Sequence, residues 1–367
     1  MSIRIPVVSS EGKPLMPTTP ARARKLITGK VARGRFNKLG IFYLHMLVNV
    51  GLSTQPLKIA IDTGSKYEGY AVGSNSEVCL KGMAKLPARV SQKMNDRRSL
   101  RRSRRQKLWR RKCRFNNRRK KDYWIAPSQQ AKAELREKIV KELATIYPII
   151  QNGTEDIAFN HFNYRHGKYF STAEIGKTRF YKVLEAMAPT IRFKGWQTAN
   201  LRKQYGIPKS SKKDKISPES HANDAVAMLC GMFGHFIESK NAPFYYWQRP
   251  EFARRPLHRQ HHQKGHLRPK FGGTKNGGHF RKGDYVEAEK ASETYRGWVC
   301  RLPTETTNKI GVMDAFGKRI GQFTPRKVSL LCRSTGIIWM KSTANFSPTF
   351  RKGTPSPNQL SFLSFKV

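Results

Sequence analysis

Negative charge is what this sequence lacks most. Its 367 residues hold 24 Asp and Glu against 71 Lys and Arg, a formal net charge of +47. No ordinary enzyme of small metabolites needs such a field, so the chain is expected to live bound to RNA, DNA or both. Cysteine is sparse as well. Cys79, Cys113, Cys230, Cys300 and Cys332 are scattered, odd in number and form no C-x-x-C pair. A disulfide framework and a cysteine zinc site are thereby disfavoured, and a reducing, cytoplasmic compartment is implied. No apolar stretch approaches the ~18 residues of a membrane span, and no signal peptide is visible, so no membrane partner is expected. No internal repeat is present. The hydrophobic fraction, 38%, is low but enough for folded cores.

What is present in excess is arginine. From Arg97 to Lys121 the chain reads RRSLRRSRRQKLWRRKCRFNNRRKK, with 15 cations in 25 positions and no acid. Arg97, Arg98, Arg101, Arg102, Arg104, Arg105, Arg110, Arg111, Arg114, Arg118 and Arg119 outnumber the lysines, which favours bidentate phosphate contacts over diffuse charge. Such a run repels itself and cannot form a core. It lies between two apolar segments and has no Pro or Gly, so a long helix threading into nucleic acid is expected rather than a loose tail. Leu100, Leu108 and Trp109 serve as sparse anchors.

Along the chain, Ile41 to Val50 reads as a strand in a small basic N-terminal unit. Leu57 to Asp62, Tyr67 to Val72 and Val78 to Met83 read as three consecutive strands. From Ser128, apolar Leu135, Ile139 and Leu143 recur at helical spacing down to the Pro148 stop. Asp156 to Phe162 is a strand candidate, Thr178 to Met187 a helix, Thr190 to Trp196 extended, and Glu219 to Phe236 an apolar helix. Beyond Pro243 the sequence turns Gly-, His- and Arg-rich. Short strands follow from Tyr285 to Leu331, with a hairpin around Asp314 to Gly317. The stretch from about Ser342 is Ser/Thr/Pro-rich and is expected to be poorly ordered.

Because acids are scarce, those embedded in apolar segments stand out. Asp62 ends the strand LKIAID. His221 and Asp224, at i and i+3, head the apolar helix. Each alone is also what a turn or a helix start would use. Together they fit hard-oxygen ligation of Mg²⁺, which binds through a few carboxylates plus phosphate. The histidines from His258 to His279 sit among Arg, Lys and Gly without a Cys or Asn partner set, which favours nucleic-acid backbone over zinc.

These motifs, in this order, resemble the IsrB family, insertion-sequence-encoded relatives of IscB. KPLMPTTPARARKLITGK (Lys13 to Lys30) looks like its PLMP domain, and IAIDTGSKYEGYAV (Ile59 to Val72) like its first RuvC segment. The Arg run looks like its bridge helix. GWQTANLRKQYGIPK (Gly195 to Lys209) and SHANDAVA (Ser220 to Ala227) look like the approach to the third RuvC segment and that segment itself. Arg254 to Gly273 and GKRIGQF (Gly317 to Phe323) resemble its target-interaction region. The resemblance implies an α/β fold: an RNase H-like (RuvC) core split by the Arg-rich bridge helix, with a small N-terminal PLMP domain and a β-rich C-terminal domain. The implied division is 1–55 (PLMP), 56–92 (RuvC segment I), 93–126 (bridge helix), 127–242 (RuvC segments II and III), 243–341 (target interaction) and 342–367 (tail).

The stretch from Phe162 to Ser220 leaves no room for an HNH nuclease, which implies one nicked strand rather than two. The implied partners are a long non-coding guide RNA and double-stranded DNA with a short flanking motif, held by a monomeric protein in a ribonucleoprotein. Base pairing would carry sequence choice. The implied cofactor is Mg²⁺, two ions, held by Asp62, Asp224 and a Glu of the second RuvC segment, with His221 beside them. In Ile157-Ala158-Phe159-Asn160, Asn160 takes that Glu position, so the site is expected to have lost one of three anions; Glu155 and Asp156, just before the strand, are rescue ligands only if its register slips. Three readings follow: a guided nickase, a guided DNA binder with impaired or lost cleavage that Asn160→Glu would restore, and an RNA-structural or ribosome-associated protein. Lys318, Arg319, Arg326 and Lys327, near strand ends, are the candidate duplex contacts.

Overall fold

The structure, a computed structural model, describes residues 3–107, 125–156, 172–251, 256–257, 271–272, 279–303 and 307–342. The chain forms two compact units, one reaching to Tyr246 and a second over Trp247–Lys341.

The first unit opens with a small sheet. Strands β1 (Ile5–Val8), β2 (Pro14–Thr18), β3 (Ala32–Phe36) and β4 (Phe42–Met46) lie in the order β2-β1-β4-β3. Helix α1 (Pro20–Thr28) starts at a proline, and Thr19 caps it by accepting from the Arg22 amide at 3.4 Å. Val7, Leu15, Ala23, Leu44 and Met46 close a small core between helix and sheet.

The central sheet follows. β5 (Leu57–Asp62), β6 (Tyr67–Gly73) and β7 (Val78–Lys85) form an antiparallel meander. β8 (Ile149–Glu155) and β9 (Thr190–Phe193) continue it in parallel on the far side of β5, giving the order β7-β6-β5-β8-β9. Parallel neighbours need crossovers, and helices α3 (Pro127–Ala144) and α4 (Thr172–Met187) supply them. The arrangement is a mixed α/β one, with Asp62 at the end of β5 in the middle of this order.

Between β7 and α3 the helix α2 (Val90–Lys107) contains the first part of the Arg run; residues 108–124 lie outside the described residues. Every side chain from Ser91 to Ser99 is exposed. A helix polar on all faces gains little from packing on protein, which agrees with a polyanionic partner.

After β9 come α5 (Gly195–Gln204), a one-turn π-helix (Pro218–Ala222) and α6 (Asn223–Phe233). The extended segment expected through Trp196 therefore ends at Phe193, because the Gln197 side-chain oxygen accepts from the Lys194 amide at 2.7 Å and the helix starts at Gly195. Beyond Asn223 and Asp224, helix α6 is apolar. Ala225, Val226, Met228 and Leu229 are fully buried against Ala60 and Ala71 of the sheet. It stops at Gly234, whose left-handed φ of 81° suits glycine and lets its amide cap the Cys230 carbonyl.

The chain leaves the first unit at β10 (Phe244–Gln248). In the second, β11 (Pro256–Leu257) pairs with β12 (Phe271–Gly272). β13 (Tyr285–Lys290), β14 (Glu293–Arg301), β15 (Ile310–Met313), β16 (Arg319–Phe323) and β17 (Val328–Cys332) form an antiparallel sheet ordered β16-β15-β14-β13-β17. Trp339 of β18 (Ile338–Ser342) packs its ring 5.1 Å from Tyr285. The expected hairpin is present: the Asp314 amide donates to the Lys318 carbonyl at 2.8 Å, and Gly317 turns with φ 83°. Lys318, Arg319, Arg326 and Lys327 are all exposed there.

Candidate active site

The site forms where two parallel strands end. Ile61 lies opposite Thr154, so Asp62 and Glu155, the last residues of β5 and β8, stand side by side at their carboxyl ends. The Thr63 hydroxyl locks this alignment by donating to the Glu155 carbonyl at 2.8 Å. Each carboxyl acts on the proton affinity of the other. From the other side comes the π-turn, which presents His221 Nδ1 3.5 Å from Asp62 Oδ2. Tyr67 stacks on the imidazole with ring centres 5.7 Å apart. His221 Nε2 lies 3.2 Å from the Lys213 carbonyl, which can only accept, so the neutral ring carries its proton there and turns the Nδ1 lone pair to the site.

The sequence offers Glu155 only as a substitute ligand, should the register of the strand after it slip. Strand β8 ends at Glu155, and residues 157–162 of the strand expected over Asp156 to Phe162 lie outside the described residues. Asn160, expected at the Glu position, lies outside the described residues. β8 reads IIQNGTE and has no alternating apolar pattern, although Asn152, Gly153 and Thr154 are buried. Asn152 donates to the Leu184 and Ala188 carbonyls, at 2.8 and 3.1 Å, at the end of α4. Gly153 admits the Met232 sulfur, which a Cβ would meet at 2.5 Å. The available signal was position: an acid ending the first strand after the Pro148 stop. Asp156, the other acid before the expected strand, is engaged by the Tyr181 hydroxyl at 2.9 Å and Lys194 at 3.3 Å.

The third acid, Asp224, sits in the first turn of α6. One of its oxygens accepts from Arg202 at 2.5 Å, the other from Lys209 at 2.7 Å. Both cations come from the Gly195 to Lys209 motif. The site is further braced by a buried pair on β6. Arg136 of α3 pairs with Glu68, whose other oxygen accepts from Tyr70 at 2.9 Å, and Arg136 also donates to the Gly64 carbonyl at 3.1 Å in the turn after Asp62.

Crowding acids in a buried place raises their proton affinity. Burial, with Asp224 and Glu68 adding to it, lifts Asp62 from its ordinary 3.8 to about 7. Burial, with the Asp62 carboxyl adding to it, lifts Glu155 from 4.5 to about 8. Burial lowers His221, which keeps it neutral. The folded state therefore holds protons that the unfolded chain releases above about pH 4, so stability falls as pH rises from about 4 to 8 and levels beyond. Thermal or urea unfolding of metal-free protein should show this decline, and Asp62→Asn should remove much of it. A profile already flat in the wild type would contradict the pairing.

The donor set is one that a hard divalent ion uses: three carboxylates from three elements and a neutral imidazole. Among the described residues, however, no group of three His, Cys, Asp or Glu side chains stands ready around one point. Asp224 is held by its two cations instead. The donor chemistry thus fits the implied metal, with Asp224 drawn toward Arg202 and Lys209.

Gly69 sets how closely the π-turn approaches. A Cβ there would stand 2.1 Å from the His221 carbonyl oxygen. Gly69→Ala should push His221 and Asp224 away from Asp62, costing about 1–3 kcal/mol in urea unfolding. Unaltered stability would show that the turn has room to shift.

The model of a family described as RRXRR protein matches residues 5–177. Two solved structures of Thermus thermophilus RuvC are similar to the chain. One, in complex with a Holliday junction substrate, is 13% identical, covering 49% of this chain and 94% of that one with a TM-score of 0.30. The other is 12% identical, covering 48% and 96% with a TM-score of 0.28. Among curated proteins no sequence matches. Among the described residues no helix is long and apolar enough to cross a membrane.

Proposed function

We propose that the chain is a nucleic-acid endonuclease of RuvC type, directed by a guide RNA to double-stranded DNA and nicking the displaced strand. The observation that carries this reading is the meeting of Asp62, Glu155 and His221, with Asp224 behind its two cations, at the carboxyl ends of adjacent strands in a strongly basic chain. Glu155 supplies the third carboxylate that the loss-of-cleavage alternative requires to be missing. Nothing in the fold favours a purely RNA-structural role, which leaves these buried acids without a use.

Asp62, Glu155 and Asp224 would hold the Mg²⁺ that the resemblance implies. When bound, the metal would stabilise charge on the phosphate and promote ionisation of a water. The chain's own residues supply the rest. Burial raises the proton affinity of Asp62 to about 7 and of Glu155 to about 8, so each must lose its proton before acting as an anion. His221 directs a lone pair into the same space, placed to take a proton from an approaching water. The Arg helix neutralises phosphate, and the exposed cations at the β15–β16 hairpin and at Arg326 and Lys327 contact the flanking duplex.

The test is to purify the protein with its bound nucleic acid, sequence that nucleic acid, and challenge the complex with a plasmid library and Mg²⁺. One dominant non-coding RNA and nicks at a site set by that RNA's sequence are expected. Bound ribosomal RNA without target-dependent nicks would refute the reading.

A further inference from the structure

The motif from Gly195 to Lys209 takes no part in the chemistry proposed for the site, yet it delivers two cations to one carboxylate. Arg202 comes from α5 and Lys209 from the loop after it; they take separate oxygens of Asp224. The loop is anchored by Asn223, the neighbour of Asp224, whose amide donates to the Pro208 carbonyl at 2.8 Å. The two cations differ in access. The Arg202 side chain is 18% exposed, Lys209 38%. Lys209 also acts on the whole cluster, since its charge bears on Asp62, Glu155 and His221 as well as on Asp224. An ammonium on a flexible stem is a compact point charge that can leave, whereas a guanidinium held at short range in a more buried place stays.

We propose that Lys209 is the internal counter-ion of this site, its ammonium standing beside Asp224 as a placeholder that a divalent ion must displace. This rests on the reading of Asp62, Glu155 and Asp224 as a metal site. The three acids cannot all ionise in a buried cluster without compensation, and a tethered cation supplies some of it while no divalent ion is present. The same cation competes with the metal for Asp224, so it sets how tightly the metal is held. Arg202 is the fixed partner that keeps Asp224 oriented in both states.

The experiment titrates Mn²⁺ into the full-length protein and follows the free ion by electron paramagnetic resonance. The component of binding that disappears in Asp62→Asn defines the site. In Lys209→Met that component should tighten about tenfold, as expected when one unit charge is removed at close range. Lys209→Arg, which keeps the charge, should stay within about threefold of the wild type. A lysine that merely supports the fold would give equal or weaker Mn²⁺ binding in Lys209→Met, and that result overturns the proposal. If Lys209→Met does not fold, Lys209→Gln carries the same expectation. Wild-type protein with no Asp62-dependent Mn²⁺ binding would overturn the metal-site reading itself, a different outcome from unchanged affinity in the lysine variant.

Discussion

Glu155→Gln should lower guided nicking by about a thousandfold, equivalent to about 4 kcal/mol of barrier, and Asn160→Ala should leave it unchanged. Glu155 ends β8 beside Asp62, with its backbone pinned by the Thr63 hydroxyl. Gln keeps the size and the hydrogen-bonding capacity but removes the anion, so the loss would report charge rather than packing. Asp62→Ala should be at least as severe, with target binding intact in both variants. Single-turnover nicking of a preformed complex separates the chemical step from assembly. Full activity in Glu155→Gln, together with loss in Asn160→Ala, would return the third ligand to Asn160. Activity surviving Asp62→Ala would remove the site altogether.

Replacing Arg101, Arg102, Arg104 and Arg105 with Ala should abolish stable assembly with the guide RNA. Helix α2 spends little of its surface on protein: the side chains of Arg97, Arg98, Arg101 and Arg102 are all exposed. Each phosphate left without its arginine should reduce the dependence of log affinity on log salt by about 0.7–0.9. Four such phosphates would flatten the slope by about three and weaken binding most at low salt. The fold itself should survive, since Arg101 and Arg102 are exposed. Unchanged RNA affinity and an unchanged salt slope would show that the nucleic acid lies elsewhere.

Several elements were legible in the sequence because their signals are local. LKIAID coincides with β5, residue for residue. The return strands were legible from their apolar, β-branched and aromatic residues, and α6 from its apolar run, although the helix expected over Glu219 to Phe236 is a π-turn followed by Asn223–Phe233. The Arg helix announced itself by composition, since no core can absorb a run without acids. Asp62, His221 and Asp224 stood out because carboxylates are rare here and these are embedded in apolar segments.

What the tertiary structure alone decided is which groups meet. β8 is a polar strand, buried because α4 supplies carbonyls to Asn152 and α6 lays Met232 against Gly153. Those partners are separated from it by more than thirty residues, so no window along the chain reveals that IIQNGTE is a core strand or that its last residue faces Asp62. The same holds for Arg202 and Lys209, which read as ordinary surface cations until the loop folds them onto Asp224. Composition and periodicity specify an element from its own residues. The charge state and partners of a buried acid are set by what the fold brings within a few ångströms, because only at that range, with water excluded, do single charges outweigh solvation.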